Sequence, residues 1–247
     1  MASNFWITSS AGLRLSSGAT LAKLAIFCDF DETITAINVT DAVLEKYAAP
    51  AWLEIQQDWL AGKLNAREVL EKQMPLVTVR REDLDDFIET IEIDPFFADF
   101  ARFCARENFP LYVLSDGFDY WIEKTIERAL PSRDGVAMEI PVFACNLKFQ
   151  GEGVLISFPY FVHGCSHGCA TCKPGLFQSL KAGAERTVVI GDGVSDLLVA
   201  RSADVVLAKN GLREFCDREG IRNYGFKDFH DVIRIVGSFI GGSNEGS

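Results

Sequence analysis

Three short runs, LAIFC at 24–28, PLYVLS at 110–115 and RTVVIGD at 186–192, narrow the fold more than any other feature of the chain. Each is apolar at consecutive rather than alternate positions and then stops at a polar residue. That pattern suits a strand covered on both faces, as in a parallel sheet between helices. The terminating residues are Asp29 with Asp31, Ser115, and Asp192. Ligands of open parallel sheets bind at the carboxyl ends of the strands, so these side chains are expected along one sheet edge. ADVVLAK at 203–209 reads as a fourth such strand, and VFACNLKF with GVLISF, around Gly151 and Gly153, as a hairpin.

From Thr40 to Asn108 the pattern is helical instead. Trp52, Ile55 and Trp59 recur on one face, as do Leu84, Phe87, Ile88 and Ile91. Asp94 and Pro95 open a further helix with a stripe of Phe96, Phe100, Phe103 and Cys104. A strand, a helical block and then strand–helix repeats imply an α/β fold, a parallel sheet flanked by helices and interrupted after its first strand. Residues 21–35 and 106–240 are expected to form the core domain and 36–105 a helical insertion, with disordered ends at 1–20 and 241–247. Trp52, Trp59, Phe96 and Phe97 fall at helical spacing and are expected in the core.

Charge limits the partners. The chain has a formal charge of −11 and no basic run to neutralise phosphates, which excludes a nucleic-acid or anionic-membrane surface. No apolar stretch approaches the roughly 20 residues that span a bilayer. The first twenty residues lack a charged segment followed by a continuous apolar one, so no secretory signal is read there. Four of the seven cysteines (Cys28, Cys104, Cys145 and Cys216) are scattered through apolar or helical patterns, which suits a reducing cytoplasm. An apolar content of 48% fills a core and is compatible with a homodimer.

A small anionic substrate would need a local positive site, and Lys173 supplies one. Pro174 follows it, and proline favours the first turn of a helix, which places the ammonium where the helix dipole already attracts an anion. Carboxylates facing such a cation suit phosphoryl transfer from a monoester. Asp29 and Asp192 can hold Mg²⁺ through hard oxygen ligands, while Lys173 and the Ser115 hydroxyl stabilise the phosphate oxygens. One carboxylate attacks phosphorus and a second protonates the leaving oxygen and then activates water.

These segments resemble the haloacid-dehalogenase (HAD) superfamily. DFDETIT matches its DxDxT signature, VLSDG its second motif, Lys173 its third and GDGVSD its fourth, in the family's order from 29 to 196. The resemblance implies a Rossmann-like core and a helical C1 cap inserted after the first strand. It implies Asp29 as nucleophile and metal ligand, and Asp31 as general acid/base with its main-chain carbonyl on the metal. Asp192 would be a further Mg²⁺ ligand, Thr33 would steady the loop, and Asp196 would support the metal shell or the lysine. Ser115, Asp116, Gly117 and Lys173 would bind phosphate, although helix capping also explains Asp116 and its neighbour Asp119. Within the superfamily the chain is similar to the phosphoserine-phosphatase-like branch, and there to the MtnX-type phosphatases of methionine salvage. Those act on 2-hydroxy-3-keto-5-methylthiopentenyl-1-phosphate, and APAW at 49–52 and the segment running into CKP carry that similarity. Asn38 stands where phosphoserine enzymes place a substrate-holding glutamate, and Glu32 where many relatives carry glycine. The alternatives are phosphoserine, phosphocholine or phosphoethanolamine as substrate, and a catalytically silent HAD-like module that binds metal or a protein.

HGCSHGCATCK, 163–173, gathers Cys165, Cys169 and Cys172 with His163 and His167. It could hold a structural Zn²⁺, or be three cysteines packing a glycine-rich loop; CATC alone could be redox-active. In each case the segment's main role is to position Lys173. His230 is expected to be exposed or capping.

Overall fold

The computed structural model describes residues 22–131, 138–163 and 168–241. Its seven strands are β1 Ala22–Cys28, β2 Leu111–Phe118, β3 Val142–Gln150, β4 Gly153–Ser157, β5 Ala184–Gly191, β6 Val205–Ala208 and β7 Asn223–Gly225. They form one sheet in the order β4-β3-β2-β1-β5-β6-β7, parallel except for the β3–β4 hairpin. The four apolar runs and the hairpin are thus strands of one mostly parallel sheet. β7, three residues long, had no apolar run to announce it.

The consecutive apolar residues of β1 have a direct cause. Leu24, Ile26 and Cys28 pack with Phe97, Phe100, Trp121 and Phe229 on one face of the sheet. Ala25 and Phe27 pack with Phe177 and Val199 on the other. Helices α5 Phe97–Glu107, α6 Asp119–Ala129 and α10 Phe229–Gly241 supply the first layer. α7 Lys173–Leu180 and α8 Leu197–Ala200 supply the second, with α9 Asn210–Glu219 near the far edge. β1 is hydrogen-bonded to β2 on one side and β5 on the other, so the strand order reverses at its carboxyl end. A crevice opens where the connections diverge.

Between β1 and α5 lie α1 Val39–Tyr47, α2 Trp52–Leu60, α3 Ala66–Gln73 and α4 Arg81–Glu89. Local signals define their starts: Asn38 accepts from Asp41 N, and Asn65 with Glu68 forms a reciprocal capping box. The β3–β4 hairpin and α6 brace this block. Val79 N donates to Glu152 O at 2.7 Å, the Arg81 guanidinium lies 4.7 Å from the Phe149 ring, and Tyr120 Oη donates to Asp85 at 2.6 Å.

One expectation is corrected here. Trp59 is 39% exposed and Phe96 36%, whereas Phe97 is buried as expected. α2 has no fully buried residue; Trp52 and Ile55 of its stripe are half-buried against the core, while Trp59 turns away from it. Phe96 instead meets the ring of exposed His230 at 5.4 Å. The expected insertion, 36–105, also includes most of α5, whose Phe97 and Phe100 rings lie 5.3 and 5.1 Å from Phe229 of α10. That helix packs with the sheet layers. Among the described residues, no helix is long and apolar enough to cross a membrane.

Candidate active site

The chain leaves the sheet as β1 ends: Asp29 N donates to Ile190 O of β5 at 2.9 Å, and the next turns are closed by Phe30 O. Asp29 Oδ1 accepts from Phe30 N at 2.7 Å, and Oδ2 faces Lys173 Nζ at 2.8 Å. Lys173 is the first residue of α7, before Pro174, and is 2% exposed. Its ammonium also meets Asp196 Oδ1 at 2.9 Å and donates to Ser195 Oγ at 2.9 Å. Burial alone would lower its pKa, but the Asp196 and Asp29 carboxylates hold it well above the usual lysine range. The lysine stays charged.

Asp192 ends β5 beside them. Its oxygens accept from Thr33 Oγ1 and Asn210 Nδ2, each at 3.4 Å. Asp29, Asp192 and Asp196 each bring a carboxylate oxygen within 4.8 Å of the others. Burial, and then the charge of Asp29, pushes Asp192 up to about 6; the same two causes raise Asp196. Three buried carboxylates beside one ammonium repel each other, and a hard divalent cation would relieve that repulsion. The donor set therefore fits a metal ion. Gly191 makes the packing possible, because a Cβ there would collide with the Asp196 carboxylate.

Asp31 has a different environment. Oδ1 accepts from Val39 N, at the start of α1, at 2.7 Å, and burial pushes the carboxyl up to about 8. Gly117 backs it: a Cβ at that position would lie 3.0 Å from Asp31 Oδ2 and 3.1 Å from Ser115 Oγ. Ser115 is buried and its hydroxyl accepts from Gly117 N at 2.9 Å. Asp116, raised by burial, accepts from Thr171 N at 2.7 Å and so ties the segment before Lys173 to β2. Asp119 accepts from Leu147 N at 2.9 Å and from Asn146 Nδ2, bracing the hairpin.

Of these residues Asp29, Asp31, Ser115, Asp116, Gly117, Asp192 and Ser195 line one cleft of about 260 Å³. Its opposite wall comes from the helical insertion: Asn38, Thr40 and Asp41 of the α1 start, Gln56 and Trp59 of α2, and Val69, Leu70 and Gln73 of α3. Glu32 lines the mouth with φ at +53°, a left-handed conformation that favours glycine. Sequence reading named the acidic residues, the serine and the lysine that the fold brings together. It passed over Ser195, although this residue sits inside GDGVSD, and over Asn210, Gln56 and Gln73.

The Cys/His segment divides. Cys165 and His167 lie outside the described residues. His163 is exposed with its ring 5.1 Å from Phe161, and Cys172 is buried immediately before α7. Among the described residues, the aspartates are the group able to hold a metal.

A family model described as "Putative Phosphatase" matches residues 24–216. The chain is 32% identical to a 2-hydroxy-3-keto-5-methylthiopentenyl-1-phosphate phosphatase of Geobacillus kaustophilus over 85% of this chain and 94% of that one. It is 31% identical to the protein of the same name from Brevibacillus brevis, over 87% and 95%. In fold it is similar to a substrate-bound phosphoserine phosphatase, with a TM-score of 0.66 at 19% identity, covering 88% of this chain and 99% of that one. A phospho-aspartyl intermediate analogue of phosphoserine phosphatase gives 0.65 at 20% identity, over 87% and 99%.

Proposed function

The chain belongs to that phosphatase family, and with it to the HAD-like phosphatases of the phosphoserine-phosphatase fold; on that premise we propose that it hydrolyses 2-hydroxy-3-keto-5-methylthiopentenyl-1-phosphate in methionine salvage. The observation that carries the chemistry is the contrast between two aspartates two residues apart. Asp29 is ion-paired to a buried lysine, while Asp31 forms no ion pair among the described residues, accepts from Val39 N and is pushed up to about 8 by burial.

Asp29 Oδ attacks phosphorus, and the ester oxygen departs with the proton that Asp31 gives it, leaving a phosphoryl group on Asp29. Asp31, now a carboxylate, takes a proton from the water that attacks this aspartyl-phosphate, and inorganic phosphate and free Asp29 result. Lys173 and Ser115 stabilise the phosphoryl oxygens. Asp196 and Ser195 hold the lysine in place. Mg²⁺, bound by Asp29, Asp192 and the main-chain carbonyl of Asp31, would neutralise charge on the phosphate. The insertion acts as a cap that excludes water.

The cap-side wall favours this substrate over phosphoserine. Among the described lining residues no Lys or Arg stands ready for a substrate carboxylate. Glu32 and Asp41 at the same wall favour a second reading, an amine-bearing leaving group such as that of phosphoethanolamine. The buried thiols Cys28, Cys104, Cys145 and Cys216, none in a disulfide, support a cytoplasmic setting.

Phosphate release from the methionine-salvage ester, phosphoserine, phosphoethanolamine and an aryl phosphate, with Mg²⁺ or EDTA, tests the proposal. Mg²⁺-dependent turnover that Asp29→Asn abolishes, with the keto ester preferred, is expected. Preference for the amine ester would select the second reading, and no turnover of any ester would overturn both.

A further inference from the structure

Two amide side chains on the cap side of the cleft take no part in this chemistry. Gln73 closes α3 and is 2% exposed; Gln56 lies across from it on α2. Gln73 Nε2 donates to Gln56 Oε1 at 2.8 Å and to Trp52 O at 3.5 Å, and both glutamines line the cleft. A pair of amides joined by one N–H···O bond has a fixed remainder: an NH₂ donor on one partner and a carbonyl acceptor on the other. Exchanging oxygen and nitrogen in both amides would swap which partner presents which group, and the contact of Gln73 Nε2 with the Trp52 carbonyl selects the assignment given. The remainder is therefore Gln56 Nε2 and Gln73 Oε1, neither of which bonds to another described residue.

Helix pairing does not call for this arrangement. Burying amides costs free energy unless every group finds a partner, and leucine or methionine would fill the same space between α2 and α3 without that cost. The neighbouring wall is apolar, from Trp59, Val69 and Leu70. One donor and one acceptor, held side by side without formal charge, complement an uncharged hydroxyl next to a carbonyl. We propose that Gln56 and Gln73 are specificity-determining residues that read a hydroxy-keto unit on the leaving group, with the apolar wall taking the rest of its chain. This rests on the reading of the cleft as a phosphomonoesterase site and assigns the glutamines no catalytic role.

The test compares kcat/KM for dihydroxyacetone phosphate, which carries both groups, with that for n-propyl phosphate, which carries neither. Wild type is expected to favour the former by on the order of tenfold or more, the scale of one or two hydrogen bonds that a site is built to make. Gln56→Glu is the discriminating variant: its carboxylate still accepts from Gln73 Nε2, so the link between α2 and α3 survives while the donor is lost. Gln56→Met removes the donor without adding charge. In both the preference should collapse toward unity, mainly through KM for the keto ester, while kcat for an aryl phosphate stays within about twofold. A wild-type preference near unity, or one unchanged in both variants, overturns the assignment and leaves the phosphatase reading intact provided the aryl phosphate is turned over. No release from any ester, the aryl phosphate included, overturns the phosphatase reading and this inference with it.

Discussion

Replacing Asp192 by asparagine is expected to make the metal-free protein more stable while disabling it. Burial and the charge of Asp29 raise this carboxyl from its ordinary 3.8 to about 6 in the folded state. A group that binds its proton more tightly when folded favours folding at low pH. Its penalty is absent below the unfolded pKa, grows as pH rises from about 4 to 6, and is complete above that. Two pH units correspond to about 3 kcal/mol as an upper bound. The side chain borders an open cleft, where solvent screening reduces this to about 1–2 kcal/mol. The hydrogen bonds at stake are long, 3.4 Å each, and an asparagine carbonyl can still accept one of them. For a domain of this size the gain corresponds to a rise of about 2–8 °C in Tm. Differential scanning fluorimetry in EDTA at pH 7.5 and pH 4.5 would measure it: Asp192→Asn should melt higher than wild type at the upper pH, and the gap should close at the lower. With Mg²⁺ the order should narrow or reverse, because a cation that binds only the folded state stabilises wild type more than the variant. A metal-free variant that melts below wild type at pH 7.5 would refute the view that these carboxylates are held together against their own repulsion.

Three further outcomes follow from the same geometry. With Asp31 pushed up to about 8, kcat/KM for an alkyl phosphate should fall as pH rises through that value, and Asp31→Asn should cost about 10²–10⁴-fold, far less on an aryl phosphate whose leaving group needs no proton. Pre-steady-state phosphate release across pH would check this. Gly117→Ala should lower kcat by about tenfold or more while costing only about 1 kcal/mol in urea unfolding, since its Cβ would press on Asp31 Oδ2 and Ser115 Oγ. Glu32→Gly should raise stability by up to about 1 kcal/mol in the same assay, because glycine takes φ of +53° without strain.

How far the sequence discloses this molecule depends on whether a residue's role is local. The strands of the core are legible because β1, β5 and β6 are covered on both faces, which writes consecutive apolar residues into the chain. β7 is not, because three residues at an edge become a strand only by pairing with β6. The chemistry is legible for a related reason: a buried run that stops at Asp29, Ser115 or Asp192 marks a strand's end, and the sheet topology then brings those ends together. The cap follows another rule. The stripe of Trp52, Ile55 and Trp59 shows that one face of α2 is apolar, yet apolar periodicity cannot tell a face that meets a core from one that meets a ligand. α5 carries the same kind of stripe and covers Phe229. Gln56 and Gln73 are still less visible, since two glutamines 17 residues apart gain meaning only when α2 and α3 bring their amides to 2.8 Å. Reaction type and substrate choice are therefore written differently in this chain: the first in local interruptions of a buried pattern, the second in contacts between helices that no local pattern announces. Substitutions that exchange cap residues while leaving the strand ends untouched should move substrate preference and spare the phosphoryl chemistry, which is the separation the two glutamines put to the test.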